Sequence, residues 1–516
     1  MKYDYVIIGA GSAGCVLANR LSEDSDKTVL LLEAGPDYPD FERLPIDLKD
    51  GYNVWRSAYG DHNWGYTATA TPLQPELIQI PRGRATGGSS AINGQVLFRG
   101  VPEDYDNWAA WGNDEWSFTS VLPYFRKLEN DLDFPGGDFH GNEGPIPVRR
   151  FKRQELMPTS AAFYDACVEL GFPQDPDQNH PDSDGIAIRP LNNIDGVRMS
   201  TALTYLNPSR HRMNLTCRGN VTVHRVIFQG KRAVGVQAES GGQTFTVGGE
   251  QIIISGGAIA SPQVLMLSGV GPAQHIQGLG IPIVHELPGV GKNLRDHPAV
   301  FTLFRGIGDG PPASAPSIQV GLRYSPATSR TRADIQVSPI LMTSEHRPAS
   351  VKIDGEDFHF GFSAALQNAV TAGHLRLASA DPHVQPELNF DYLSDPTDRD
   401  RMRDAVRLGI RLADHPVFKD IIAERINPTD DDLSSEEALD NWLLRNAYTQ
   451  HHSSGTCKMG PANDIMAVVD QYCRVYGLEN LRVVDASVMP DVIRANTNAT
   501  TIMIAERVAD WIREGR

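Results

Sequence analysis

Two groups of residues, far apart in the chain, have the types and spacing for chemistry. The run Gly9-Ala10-Gly11-Ser12-Ala13-Gly14 offers bare backbone N–H groups, which suit a pyrophosphate. His452 offers an imidazole that titrates near neutrality, and Asn496, forty-four residues later, a carboxamide that can donate to oxygen as negative charge builds there. A nucleotide cradle joined to a base and its hydrogen-bonding partner points to redox chemistry on a flavin, with the cofactor domain closed by the C-terminal part of the chain. Clusters of His, Asp and Glu with metal-ligand spacing are absent from the sequence, and no metal is expected.

The elements around the cradle fit that use. Tyr3 to Ile8 is mostly β-branched and aromatic, as in a buried parallel strand. Gly9 allows the tight turn, Gly11 lets the backbone approach phosphate, and Gly14 lets a helix over about 12–22 pack on the strand. A second apolar run, Thr28 to Leu32, ends in Glu33, whose carboxylate can accept from both ribose hydroxyls and would repel a 2′-phosphate. The motif alone leaves FAD and NAD open, since both carry an ADP half.

At 516 residues the chain is expected to form two lobes. Its net charge of −17, from 47 basic and 64 acidic residues spread along the chain, disfavours nucleic acid and anionic membranes as partners. Five scattered cysteines with no CxxC pair read as free thiols in a reducing compartment. Met1-Lys2 leads directly into the first strand, no signal peptide or membrane span is visible, and a cytoplasmic location is expected.

Turn-rich stretches near 135–150 and 306–316 mark exits from the first lobe. Residues 221–256 alternate as short strands ending in Ile252-Ile253-Ile254, which reads as a buried strand rejoining the first sheet. Apolar residues recur at helical spacing from Asp398 to His415, and a last helix begins near Ala499. The chain is therefore expected to enter one lobe, leave it, return, leave again and close. The expected fold class is α/β, α+β overall, with a Rossmann-like FAD-binding domain over 1–150, 200–305 and 453–516.

Four stretches resemble the glucose–methanol–choline (GMC) oxidoreductases, FAD-dependent alcohol oxidases and dehydrogenases. They are the cradle with Glu33; the loop Gly83 to Asn93, with Thr86 where an aliphatic residue is usual; the run Gly257 to Gly271; and the region from His452 through Asp485-Ala486 to Asn496-Thr497-Asn498. The resemblance implies that Gly9, Gly11, Ser12, Ala13, Gly14, Glu33 and Ala34 hold the ADP half of FAD, with Trp64 and the backbone of Val223 near the adenine. For the rest of the chain it implies a smaller interleaved substrate domain, 151–199 and 306–452, on an antiparallel sheet with helices. It places Arg84, Gly87, Gly88 and Asn93 beside the pyrophosphate and flavin ring, Asp485 and Ala486 toward the ribityl and phosphate region, and Thr497 among the cofactor-binding residues. Some relatives tether the flavin to a histidine directly before this asparagine; here that residue is Ile92, so non-covalent FAD is expected.

The resemblance further implies oxidation of an alcohol, expected to be primary, to an aldehyde or ketone. His452 would take the hydroxyl proton, flavin N5 the hydride, and oxygen, a quinone or another carrier the electrons. An FAD-containing lyase of the same fold, cleaving cyanohydrins, is the alternative. Each residue also has a plainer reading: Asn496 as the cap of the last helix, His451 as pocket lining, His297 as structural, Cys457 as a small buried side chain. Phe358, His359, Phe360, Phe362, Leu341, Met342 and Gln367 are candidates to line the substrate pocket, and no carboxylate motif marks a quaternary-ammonium site.

Overall fold

The computed structural model describes residues 2–312, 314–342 and 358–516; Ala313, within the turn-rich stretch at 306–316, lies outside them. In chain order the strands of the two main sheets begin with β1 (Lys2–Ile8), β2 (Val29–Leu32), β3 (Gly185–Ile188), β4 (Leu215–Arg218), β5 (Thr222–Gln229), β6 (Arg232–Ser240) and β7 (Gln243–Ile254). They continue with β8 (Pro298–Gly306), β9 (Val320–Tyr324), β10 (Ile335–Met342), β11 (His359–Leu366), β12 (Ile422–Asn427), β13 (Tyr448–Thr449) and β14 (Leu481–Val483).

The first sheet runs β4-β2-β1-β7-β6-β5, with β14 beside β7. Its β4, β2, β1, β7 and β14 are parallel, and β5 and β6 form an antiparallel extension. The apolar end of β7 slots between β1 and β14, with Ile254 opposite both Ile8 and Val483. A strand covered on both faces gains from uninterrupted β-branched side chains, and Ile252, Ile253 and Ile254 are all fully buried. The second sheet, β12-β8-β11-β10-β9-β3 with β13 beside β8, is antiparallel throughout. β8 belongs to this second sheet, so the change of lobe falls near His297 rather than at the expected 305.

Four helices matter for the site: α1 (Ser12–Leu21), α2 (Gly257–Leu267), α3 (Pro396–Ala413) and α4 (Thr497–Arg513). α3 starts where Asp395 accepts a hydrogen bond from Thr397 N. It covers one face of the second sheet, where Phe360 and Phe362 pack with Phe304 and Phe418. α1 and α4 lie against each other and are fastened by the fully buried side chain of Glu506. That carboxylate accepts from Arg20 Nη2 at 2.8 Å and Tyr205 Oη at 2.8 Å, and lies 3.0 Å from Lys127 Nζ. Two cations and a hydroxyl thus hold a charge that burial alone would make costly. No helix among the described residues is long and apolar enough to cross a membrane.

Candidate active site

A cavity of about 380 Å³ runs from the ends of β1 and β2 to the inner face of the second sheet. Gly9, Gly11, Ser12, Ala13, Glu33, Ala34, Trp64 and Val223 line it, together with Gly88, Asn93, Asp485 and Ala486 and with His452, Asn496 and Thr497. Residues separated by up to almost five hundred positions therefore share one wall.

The nucleotide end is built by close backbone approach. A Cβ on Gly14 would stand 1.9 Å from Gly9 O, so only glycine lets α1 begin this near the strand. The loop carrying Gly88 lies directly on the cradle: a Cβ on Gly88 would come within 2.6 Å of Gly11 Cα, and Gly87 N donates to Ala10 O at 2.7 Å. Gly14 and Gly87 thus shape the cradle from behind and do not line the cavity. Glu33 accepts from Ala10 N at 2.8 Å and Gly35 N at 2.9 Å. Burial pushes its carboxyl up to about 7 against the pull of those two donors.

Arg84 departs from its expected place. Its side chain is exposed and lies over the Trp64 ring at 4.9 Å, outside the cavity, from where its charge still favours the Glu33 carboxylate. Thr86 has a local explanation: its Oγ1 donates at 2.9 Å to Asp37, whose other bonds come from Arg210. Asp485 accepts from Gly257 N, Ser261 Oγ and Ser487 N, tying the start of α2 to the cavity wall. Ser12 Oγ donates to Asn498 Oδ1 at 2.7 Å, so the first turns of α1 and α4 meet.

At the inner end His452 is buried, and its two ring nitrogens have different partners. Nδ1 lies 2.8 Å from His297 Nδ1, and Nε2 lies 3.0 Å from Asn496 Nδ2. His297 Nε2 lies 2.9 Å from Ile493 O, a carbonyl that can only accept. The protons are thereby assigned: His297 donates from Nε2 and accepts at Nδ1, so His452 carries its hydrogen on Nδ1 and keeps the Nε2 lone pair. Asn496 occupies the N-cap position of α4, but its side chain caps nothing; it is turned to His452. Asp296 fixes the backbone here, accepting from the N–H groups of His297 and His452, both at 2.8 Å, and from Tyr392 Oη and Thr449 Oγ1. Burial, reinforced by His297, His451, Arg82 and Arg189, holds His452 well below its usual pKa, so it stands neutral.

Reading the sequence makes His297 structural and gives Asp296 no role; the only signal was a histidine and an aspartate adjacent before a strand. His451 stands in the cavity wall, and Cys457 is a fully buried free thiol. None of Phe358, His359, Phe360, Phe362, Leu341, Met342 or Gln367 lines the cavity. The period of two along a strand turns Phe360 and Phe362 to the helix side and leaves Ser363 facing inward, beside Gln336, Ser338 and Ile340 of β10. Gln367 supports this wall by accepting from Gln336 Nε2 at 2.7 Å.

Two groups with metal-capable side chains do come together from distant positions. His224, Glu239 and His383 meet near the surface, and Glu129, Asp131 and His140 meet in the interior. In the second, Arg99 and Arg150 already pair with the carboxylates and both His140 nitrogens face carboxylates, a closed ion network. Burial opposes charge on His140, but Asp131, Asp177 and Glu129 raise it to about 10.

The glycine cradle and the buried, tautomer-fixed histidine line one cavity, and the relatives of the chain mark it as an oxidoreductase acting on CH–OH groups. Residues 3–299 and 369–505 match the two family patterns described as GMC oxidoreductase. The chain belongs to the GMC oxidoreductase family. It is 37% identical to the oxygen-dependent choline dehydrogenase of Photobacterium profundum, over 99% of this chain and 93% of that protein. It is 38% identical to oxygen-dependent choline dehydrogenase 1 of Chromohalobacter salexigens, over 99% and 95%. The crystal structure of pyridoxine 4-oxidase from Mesorbium loti superposes with a TM-score of 0.91 at 28% identity, covering 99% of both chains. Family and fold together support FAD as the cofactor.

Proposed function

We propose that this protein oxidises a primary alcohol to an aldehyde with non-covalently bound FAD, using His452 as general base, and passes the electrons to oxygen or another acceptor. The observation that carries the reading is the His297–His452–Asn496 chain of hydrogen bonds, which turns the unprotonated Nε2 of His452 toward the cavity wall, where it accepts from the Asn496 amide until a substrate hydroxyl takes that place. The cradle residues suit the ADP half, with Glu33 at the ribose and the Gly9–Gly14 turn and Gly88 at the phosphates. Ile92, which lines the cavity, has no atom able to bond covalently to a flavin.

When bound, FAD supplies the hydride acceptor. His452 Nε2 takes the proton of the substrate hydroxyl, while its Nδ1–H keeps donating to His297, which steadies the imidazolium that forms. The Asn496 amide donates to the same substrate oxygen as charge builds on it; one such preorganised donor is typically worth about 3 kcal/mol at a transition state. Asp296 holds the backbone at both histidines, so the pair keeps its orientation.

The test is anaerobic addition of a panel of alcohols to the yellow holoenzyme, followed by assays with oxygen and an artificial acceptor in parallel. Bleaching by an alcohol supports the proposal. A flavin that stays oxidised with every alcohol while a cyanohydrin is cleaved would establish the lyase chemistry instead.

A further inference from the structure

The wall of the cavity contains a cation that no carboxylate among the described residues pairs with. Arg189 follows β3, is 4% exposed, and stands in the cavity wall. Its side chain makes one hydrogen bond, from Nη2 to Ser338 Oγ at 2.7 Å, and Nη1 is buried without a partner. No carboxylate among the described residues lies within ion-pair distance of it. Its nearest charged company is unfavourable: Arg323 occupies the same Phe98 ring, the two guanidiniums lying 4.8 and 5.3 Å from its centroid.

Arg198 shows what a satisfied buried guanidinium looks like here. It also lacks a carboxylate, yet donates to Asn93 O, Asp47 O, Leu48 O, Ala91 O and Ser57 Oγ. Arg189 has no such cage. A buried, unpaired charge is expensive to keep, and burial together with Arg323 pulls its pKa down to about 9. The carboxylates in the cavity wall are Glu33, at the nucleotide end, and Asp485, already engaged by three donors.

Arg189 is also close to the base. Ser338 pairs across the sheet with Ser363, and Ser363 Oγ accepts from Gln450 Nε2, two residues before His452. The charge of Arg189 contributes to holding His452 neutral. An anion bound at Arg189 would therefore lie on the same wall as the reacting hydroxyl.

We infer that Arg189 is a specificity residue that receives a carboxylate, so that the alcohol oxidised here carries an anionic group rather than a quaternary ammonium. The inference rests on the alcohol-oxidising function proposed above. The reaction remains a two-electron oxidation: the carbinol C–H leaves as hydride to the bound flavin, the hydroxyl proton goes to His452, and the carboxylate is unchanged.

The experiment uses the holoenzyme and Arg189→Met. Benzoate is titrated first, following the flavin absorption spectrum; then kcat/KM is compared for 4-(hydroxymethyl)benzoate, its methyl ester and choline. Benzoate should perturb the wild-type spectrum and bind roughly 10- to 100-fold more weakly to Arg189→Met. The carboxylate-to-ester ratio of kcat/KM should fall by a similar factor, and Arg189→Lys should recover part of it. Because Arg189→Met removes an unpaired buried charge, its melting temperature should be no lower than wild type; a large drop would assign the residue a structural role and overturn the inference. Preference for choline or the ester in wild type, or benzoate binding that ignores Arg189, would also overturn it. If benzoate binds through Arg189 but no alcohol bleaches the flavin, the anion site stands and the proposed reaction fails.

Discussion

His297 Nδ1 and His452 Nδ1 face each other at 2.8 Å, and because Ile493 O accepts from the far side of His297, one hydrogen only fits between them. The second histidine is thus held in the tautomer that presents a lone pair to the cavity. His297, which does not itself line the cavity, is placed to position the proposed base.

Replacing the base should separate binding from chemistry. His452→Ala is expected to retain the flavin, since the cradle is untouched, while the rate of flavin bleaching by alcohol falls by about 10²- to 10⁴-fold. Stopped-flow absorbance on the anaerobic holoenzyme measures this. Near-normal bleaching would remove His452 as base.

Removing the positioning histidine should act on turnover more than on binding. His297→Leu takes away the acceptor for His452 Nδ1–H, and kcat is expected to drop roughly 10- to 100-fold, as for loss of one hydrogen bond to a charged group. KM should change little. His297→Asn, whose carboxamide oxygen can accept that hydrogen, should recover part of the rate; equal loss in both variants would mean the role is packing alone.

Stability should depend on pH through the same residue. Burial lowers the His297 pKa to about 4, below its ordinary 6.5. Between those values the unfolded chain binds a proton that the folded protein does not. Its contribution is therefore fully present above pH 6.5 and is lost as pH falls toward 4. Over pH 6.5 to 5 the stability gap between wild type and His297→Leu should shrink by about 2 kcal/mol, measured from urea unfolding. A gap independent of pH would show that His297 titrates normally.

Glu33 should govern cofactor retention. Glu33→Ala removes the acceptor proposed for the ribose and also frees the N–H groups of Ala10 and Gly35. FAD affinity is expected to fall roughly 10- to 100-fold. Equilibrium titration of apoprotein with FAD, read by flavin fluorescence, tests it; unchanged affinity would place the ribose elsewhere.

The cradle was legible in the sequence because its determinants are local: strand, glycine turn, helix and second strand follow one another within thirty residues. Asn496 was harder, since the residue before a helix usually caps it, and only the fold shows its amide turned away to His452. The substrate wall was not legible for a definite reason. Every residue of β11, His359 to Leu366, is buried, because a helix covers one face and the cavity end of the protein the other. Without polar alternation, the sequence does not say which face is which, and the large phenylalanines drew attention to the wrong one. Arg189 likewise gave no local sign, since what sets it apart is that no carboxylate among the described residues is brought within ion-pair distance of it.

The contact between Ser12 at the head of α1 and Asn498 at the head of α4 has a consequence for biosynthesis. A ribosome delivers the glycine turn almost at once, yet the residues that close over it emerge hundreds of codons later. During that interval the nascent polypeptide carries the glycine turn without the helix that closes on it.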